Sequence, residues 1–162
     1  MSLVVPFDGS ALSKAALVRA VQFGAVLSEP VLVVSVIPKD NTEYARSRGW
    51  IDRTKQFALE EIVSNLRATV ADIAPDAGFH YILVDRHAPR GTIANRIRKF
   101  AREHDASIVF IGSENAGRIV NALTVGVSIA ADRSYDTMIV ANENPPEIQT
   151  LEEELSADEA LS

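Results

Sequence analysis

The sequence predicts an α/β fold, a doubly wound parallel sheet of five strands with helices on both faces. Two observations carry this expectation. Short runs rich in Val and Ile alternate strictly with longer stretches of helical periodicity, an order that produces parallel strands joined by right-handed crossovers. The run Val31-Leu32-Val33-Val34-Ser35-Val36-Ile37 is apolar at nearly every position, as a central strand covered on both faces requires. The 162 residues amount to about one domain. A chain of this size buries about two thirds of its surface and needs no staple.

The first strand is expected over residues 2–8, where Leu3-Val4-Val5-Pro6-Phe7 ends at the turn Asp8-Gly9-Ser10. Ser10 is a good N-cap for a helix of about 17 residues. Its apolar positions are Leu12, Ala15, Ala16, Ala20, Phe23 and Leu27, and it closes near Gly24 to Ser28. The second strand follows over 31–37. A polar connection from Pro38 to Gly49 then leads to a second helix with the stripe Ile51, Ala58, Ile62, Leu66, Thr69 and Ile73, stopped by Pro75 and Gly78. Trp50 would open that helix as a staple against the rim of the sheet. Phe79 to Val84 reads as the third strand, Ile93-Ile97-Phe100-Ala101 as the buried stripe of a third helix, and Ser107 to Ile111 as the fourth strand. A helix from about Asn121 to Arg133 and a last strand over Thr137 to Ala141 complete the order.

Composition narrows the function classes. With no cysteine there are no disulfides, thiolate nucleophiles or zinc knuckles, and a cytoplasmic address is expected. Hydrophobic residues at 47% and charged residues at 23% are globular values, and no apolar run reaches the length of a membrane span. The net charge of −6 is unevenly placed. Residues 142–162 hold seven acids and no Lys or Arg, which leaves 15 of the 22 acids against all 16 bases in residues 1–141. A body near +1 has no field for nucleic acid, so neither nucleic acid nor membrane is expected as a partner. The segment 142–162, with Pro145-Pro146 and a triple Glu, reads as an acidic, disordered tail on a domain of residues 1–141.

Several segments, taken together, carry a family resemblance. They are Val4-Val5-Pro6-Phe7-Asp8-Gly9-Ser10, the second strand from Val31 to Val36, and Gly91-Thr92-Ile93-Ala94-Asn95-Arg96-Ile97 followed by Ala101 to Ser107 and Ile111-Gly112-Ser113. In this order and spacing the chain resembles the universal stress protein family over roughly residues 2–141. The resemblance implies an adenine-nucleotide-binding-like fold with strand order 3-2-1-4-5, a homodimer, a role in stress response and no established turnover. It also implies ATP or another adenine nucleotide as the ligand of some members. In those members the fourth strand is followed by Gly-x2-Gly-x9-Gly-Ser/Thr. Here Gly112 fits the first glycine and Asn115 stands at the second. The third glycine depends on register: counted without a gap, Val125 and Gly126 stand at the Gly-Ser/Thr pair, and with two extra loop residues Val127 and Ser128 do. Asn tolerates the left-handed backbone, whereas Val adds a stiff side chain where phosphate would approach.

In an open parallel sheet the ligand crevice lies beyond the carboxyl ends of the strands at the switch point, here between the first and fourth. Asp8 ends the first strand there; it can meet a base or ribose, or serve its own turn, or both. Gly112, Ser113, Asn115 and Gly117 form a small-residue loop able to cradle an anion, completed by Gly126, Val127 and Ser128 near the next helix. Ser10 belongs to the turn after Asp8. Pro6 and Val36 would line an adenine slot by the resemblance, and are equally what a buried strand end contains. Arg86, His87 and Arg90 make a basic loop on the same rim, and Arg96, Arg98, Lys99 and Arg102 read as the solvated face of a helix. His80, His87 and His104 have no ligand partner at i+4, so no metal site is expected.

The expected function is a non-enzymatic stress-response protein that acts through dimerisation and partners, with weak or absent adenine nucleotide binding. The alternative is an ATP-binding regulatory switch. A nucleotide-dependent enzyme of a related α/β fold is the remote alternative, because no Walker loop, no Gly-x-Gly-x-x-Gly and no nucleophile with its base is found. The edge strand Thr137 to Ala141 is the expected dimer contact.

Overall fold

Strand β1 (Ser2–Pro6) forms the middle of the sheet because Leu3, Val4 and Val5 bury side chains on both faces, each with no exposed surface. It pairs in parallel with β2 (Val31–Pro38) on one side and β4 (Ala106–Gly112) on the other. Strands β3 (Gly78–Val84) and β5 (Asp136–Val140) form the edges, and the order is β3-β2-β1-β4-β5, all parallel. This is the five-stranded doubly wound sheet that the sequence predicts. The computed structural model describes residues 1–89, 91–113, 129 and 133–144.

Alternation along the strands divides the interior into two cores. Leu3, Val5 and Phe7 of the first strand and its turn pack with Val31, Val33 and Ile37 under α1 (Ala11–Leu27) and α3 (Leu59–Ile73). Val4, Val34 and Val36 face the opposite way, against Ala94, Ile97, Phe100 and Ala101 of α4 (Thr92–Glu103). Ile129, helical and fully buried, belongs to this second core; its carbonyl accepts the Tyr135 hydroxyl at 2.8 Å. The rest of the helix expected over 121–133 lies outside the described residues apart from Arg133, as does the tail beyond Asn144.

Two helices differ from expectation. The connection after β2 contains a short helix, α2 (Thr42–Ser47), whose N-cap Asn41 accepts from the Tyr44 amide at 2.9 Å. The helix expected from Ile51 begins only at Leu59. Ile51 is buried from an irregular segment, and Trp50 lies in the turn before it, so neither opens the helix. The i, i+7 spacing of Ile51 and Ala58 mimics a helical stripe, yet every residue of the run Asp52-Arg53-Thr54-Lys55-Gln56 between them is exposed. In α1 the buried stripe runs through Ala15, Ala16, Leu17 and Ala20, while Leu27 stays 45% exposed beside the left-handed Ser28 that ends the helix.

Candidate functional site

The carboxyl ends of β1, β2 and β4 come together at the turn Asp8-Gly9-Ser10. This turn must reverse the chain within two residues so that α1 can return along the sheet, and Gly9 does so at φ +82°, where any L side chain is strained. Asp8 Oδ1 accepts the Ser10 amide at 3.0 Å and Ser10 Oγ accepts the Ser13 amide at 3.2 Å, so the carboxylate shapes the turn that caps α1. The buried Ser35 hydroxyl donates to the Phe7 carbonyl at 2.6 Å and ties β2 to the end of β1.

The second oxygen of Asp8 meets a residue that sequence reasoning missed. Arg48 Nη1 lies 2.7 Å from Asp8 Oδ2, with the two side chains 35% and 20% exposed. Trp50 Nε1 donates to the Asp8 carbonyl at 2.7 Å. The Arg48 guanidinium sits 5.0 Å above the Tyr44 ring, and Tyr44 meets Trp50 edge-on with centroids 5.6 Å apart. Residues 41–50 thus lie as a strap over the end of β1, anchored by the fully buried Ala45 and by Trp50 at 8% exposure. The local signals were an Asn N-cap, Glu43 in the first turn and Tyr44 four residues before Arg48; the contact to Asp8, 40 residues away, has no local signal.

Of the other candidates, Gly112 ends β4 against the first turn of α1, so close that a Cβ there would stand 2.7 Å from the Leu12 carbonyl carbon. The Ser113 amide donates to the Val140 carbonyl at 2.9 Å, which directs it toward β5. Val36 is 7% exposed and packed in the second core, and Pro6 pairs with Val34 at the end of β1. The structure therefore gathers Pro6, Asp8, Ser10, Gly112 and Ser113 at one edge. Asn115, Gly117, Val125, Gly126, Val127 and Ser128 lie outside the described residues. Arg86 and His87 are exposed on the rim, the His87 amide donating to Asp85 Oδ1 at 2.8 Å; Arg90 lies outside the described residues.

The remaining histidines meet beside Phe100 of α4. The His80 and His104 rings are 5.6 Å apart, His104 stacks on Phe100 at 3.9 Å, and desolvation followed by the charge of His104 lowers the His80 pKa. Among the described residues no three His, Cys, Asp or Glu are placed to hold a metal ion, and no helix is long and apolar enough to cross a membrane.

The model of the universal stress protein family matches residues 1–131. The chain belongs to this family. No curated protein matches the sequence, but solved universal stress proteins share its fold. One, in complex with cAMP, is 19% identical, with a TM-score of 0.57 over 87% of this chain and 97% of its own. Another, from Archaeoglobus fulgidus, is 18% identical, with a TM-score of 0.58 over 87% and 98%, and the protein from the same organism in complex with dAMP gives 0.55 at 18% identity over the same shares. At these identities the likeness establishes the universal stress protein fold. The resemblance read from Val4 to Ser10, Val31 to Val36 and Gly91 to Ser113 is a true family relationship.

Proposed function

We propose that this universal stress protein is a non-enzymatic, cytoplasmic stress-response protein that acts through a homodimer and protein partners, with weak or absent binding of an adenine nucleotide at the crevice beside Asp8. The observation that carries this reading is the state of Asp8. Its carboxylate sits at the switch point, where an adenine base or ribose would be held, and it already accepts from the Ser10 amide and from Arg48. A ligand gains only the difference between its own hydrogen bonds and those it replaces. The Ser113 amide is likewise engaged, by Val140, and Asn115 with Val125 or Val127 departs from the phosphate loop of nucleotide-binding members. Two universal stress proteins of the same fold were solved in complex with cAMP and dAMP, which supports ATP or another adenine nucleotide as the ligand to test.

The test is mass spectrometry of protein purified without added nucleotide, followed by melting with ATP. A ligand at 100 times its dissociation constant adds about 2.7 kcal/mol, or roughly 5–10 °C for this size. With affinity no better than tens of micromolar, millimolar ATP should shift melting by less than that range. ATP recovered tightly bound from the purified protein would overturn this reading in favour of an ATP-binding switch.

A further inference from the structure

Asp8 and Arg48 do not merely touch. The strap holds them together from both sides, with Trp50 bonded to the Asp8 carbonyl and Arg48 to its carboxylate. Arg48 is itself oriented by the Tyr44 ring beneath it and by its amide, which donates to the Tyr44 carbonyl at 3.0 Å. We propose that Arg48 is a built-in competitor for the Asp8 carboxylate and thereby sets ligand specificity at the crevice: a ligand that offers hydrogen-bond donors to Asp8 binds by displacing the guanidinium. The inference rests on the crevice reading above and adds a residue and a selectivity to it.

The selectivity follows from charge. A nucleoside that takes Arg48's place on Asp8 leaves the guanidinium without its carboxylate and offers only neutral acceptors in return. A nucleotide brings phosphate, which can compensate the displaced cation. Arg48 therefore penalises neutral adenine ligands more than phosphorylated ones and makes the site prefer nucleotides over nucleosides without any lysine in a phosphate loop. A partly exposed ion pair of this kind is weak, so its removal should tighten nucleoside binding by about 1.4- to fivefold.

The test uses the single tryptophan of the chain, whose indole N–H bonds to the Asp8 carbonyl and is expected to give a single indole NMR signal at the site. Adenosine and ATP are titrated into the full chain, into Arg48→Met, into Asp8→Asn and into the double variant; Asn keeps an oxygen for the Ser10 amide. Arg48→Gln replaces Arg48→Met if the latter folds poorly, as judged by melting. The expected result is tighter adenosine binding in the Arg48 variant by about 1.4- to fivefold, a smaller gain or a loss for ATP, and no gain from removing Arg48 once Asp8 is Asn. Adenosine affinity unchanged or weakened in the Arg48 variant, with binding to the parent intact, overturns the competitor and leaves the crevice reading standing. An indole signal that neither ligand moves in any variant overturns both.

Discussion

Replacing Gly112 by Ala places a methyl group where the fold has no room. The added Cβ would stand 2.7 Å from the Leu12 carbonyl carbon, 2.8 Å from its oxygen and 2.9 Å from its Cβ. Ordinary carbon contacts lie at about 3.5–4.0 Å, so the first turn of α1 must retreat by roughly 1 Å. Backbone cannot swing aside as a flexible side chain would. The retreat pulls on Ser10, whose Oγ caps the helix, and on the Asp8 turn behind it. Overpacking of this kind costs about 1–3 kcal/mol, which at about 2–4 °C per kcal/mol lowers melting by about 2–12 °C. Thermal melts by circular dichroism read the change, with Gly9→Ala as the comparison. At Gly9 the nearest atom to the new methyl is Leu66 Cδ2 at 3.6 Å, so its cost is conformational, about 1–2 kcal/mol. A Gly112→Ala protein that melts with the parent would refute the packing argument. The same reasoning warns that loss of nucleotide binding in a bulky Gly112 variant reports a displaced helix unless the melts agree.

Three further outcomes are expected. Phe110 is fully buried with its ring 5.6 Å from that of Phe23, so Phe110→Ala should cost about 3–5 kcal/mol in urea denaturation with an unchanged slope; a cost below 1 kcal/mol would mean the site collapses around the loss. His80 has its pKa lowered from 6.5 in the folded protein, so the unfolded chain takes up the proton first, and the stabilising contribution present above that value is lost as pH falls below it. His80→Gln should therefore flatten part of the fall in melting temperature between about pH 7.5 and 5; an unaltered profile would remove His80 from the acid response. Light scattering should find a dimer through β5, where Ile139 is 56% exposed on the edge strand, and Ile139→Glu should return a monomer; a parent mass of 17.6 kDa would count against this contact.

Local chemistry made most of the fold legible. The Ser10 cap, the Val-rich central strands and the breaker Pro75 act within a few residues of themselves, and the structure places the first helix, the strands and the end of the helix before Pro75 within one or two residues of expectation. The segment from Pro38 to Ala58 was misread for the same reason. Ile51 is buried for tertiary reasons, against the first core, and its accidental spacing from Ala58 imitates a helical stripe whose middle turn, Thr54 and Lys55, is exposed. At the site, Asp8 was legible because a carboxylate at the end of a central strand is conspicuous. Arg48 was not, since nothing near it in sequence marks a guanidinium that reaches the first strand. Gly112 is legible as a candidate phosphate glycine, whereas its close approach to Leu12, a hundred residues earlier in the chain, has no local signal.

The position of β1 has a consequence for synthesis. Ser2 donates its hydroxyl to the His104 carbonyl, 102 residues away, and its own carbonyl accepts the Ser107 hydroxyl, 105 residues away. Of the five strands of this sheet, the first to be made is thus one that needs the fourth as a neighbour. At about 5–20 residues per second, the nascent chain waits roughly 5–20 s between making β1 and making β4. Throughout that interval β2 and α1 can cover one edge and one face of β1, and the other edge of Leu3-Val4-Val5 stays open to any strand that finds it. A chaperone that binds short apolar extended segments would find its best opportunity here, on a strand that is wholly hidden once β4 arrives.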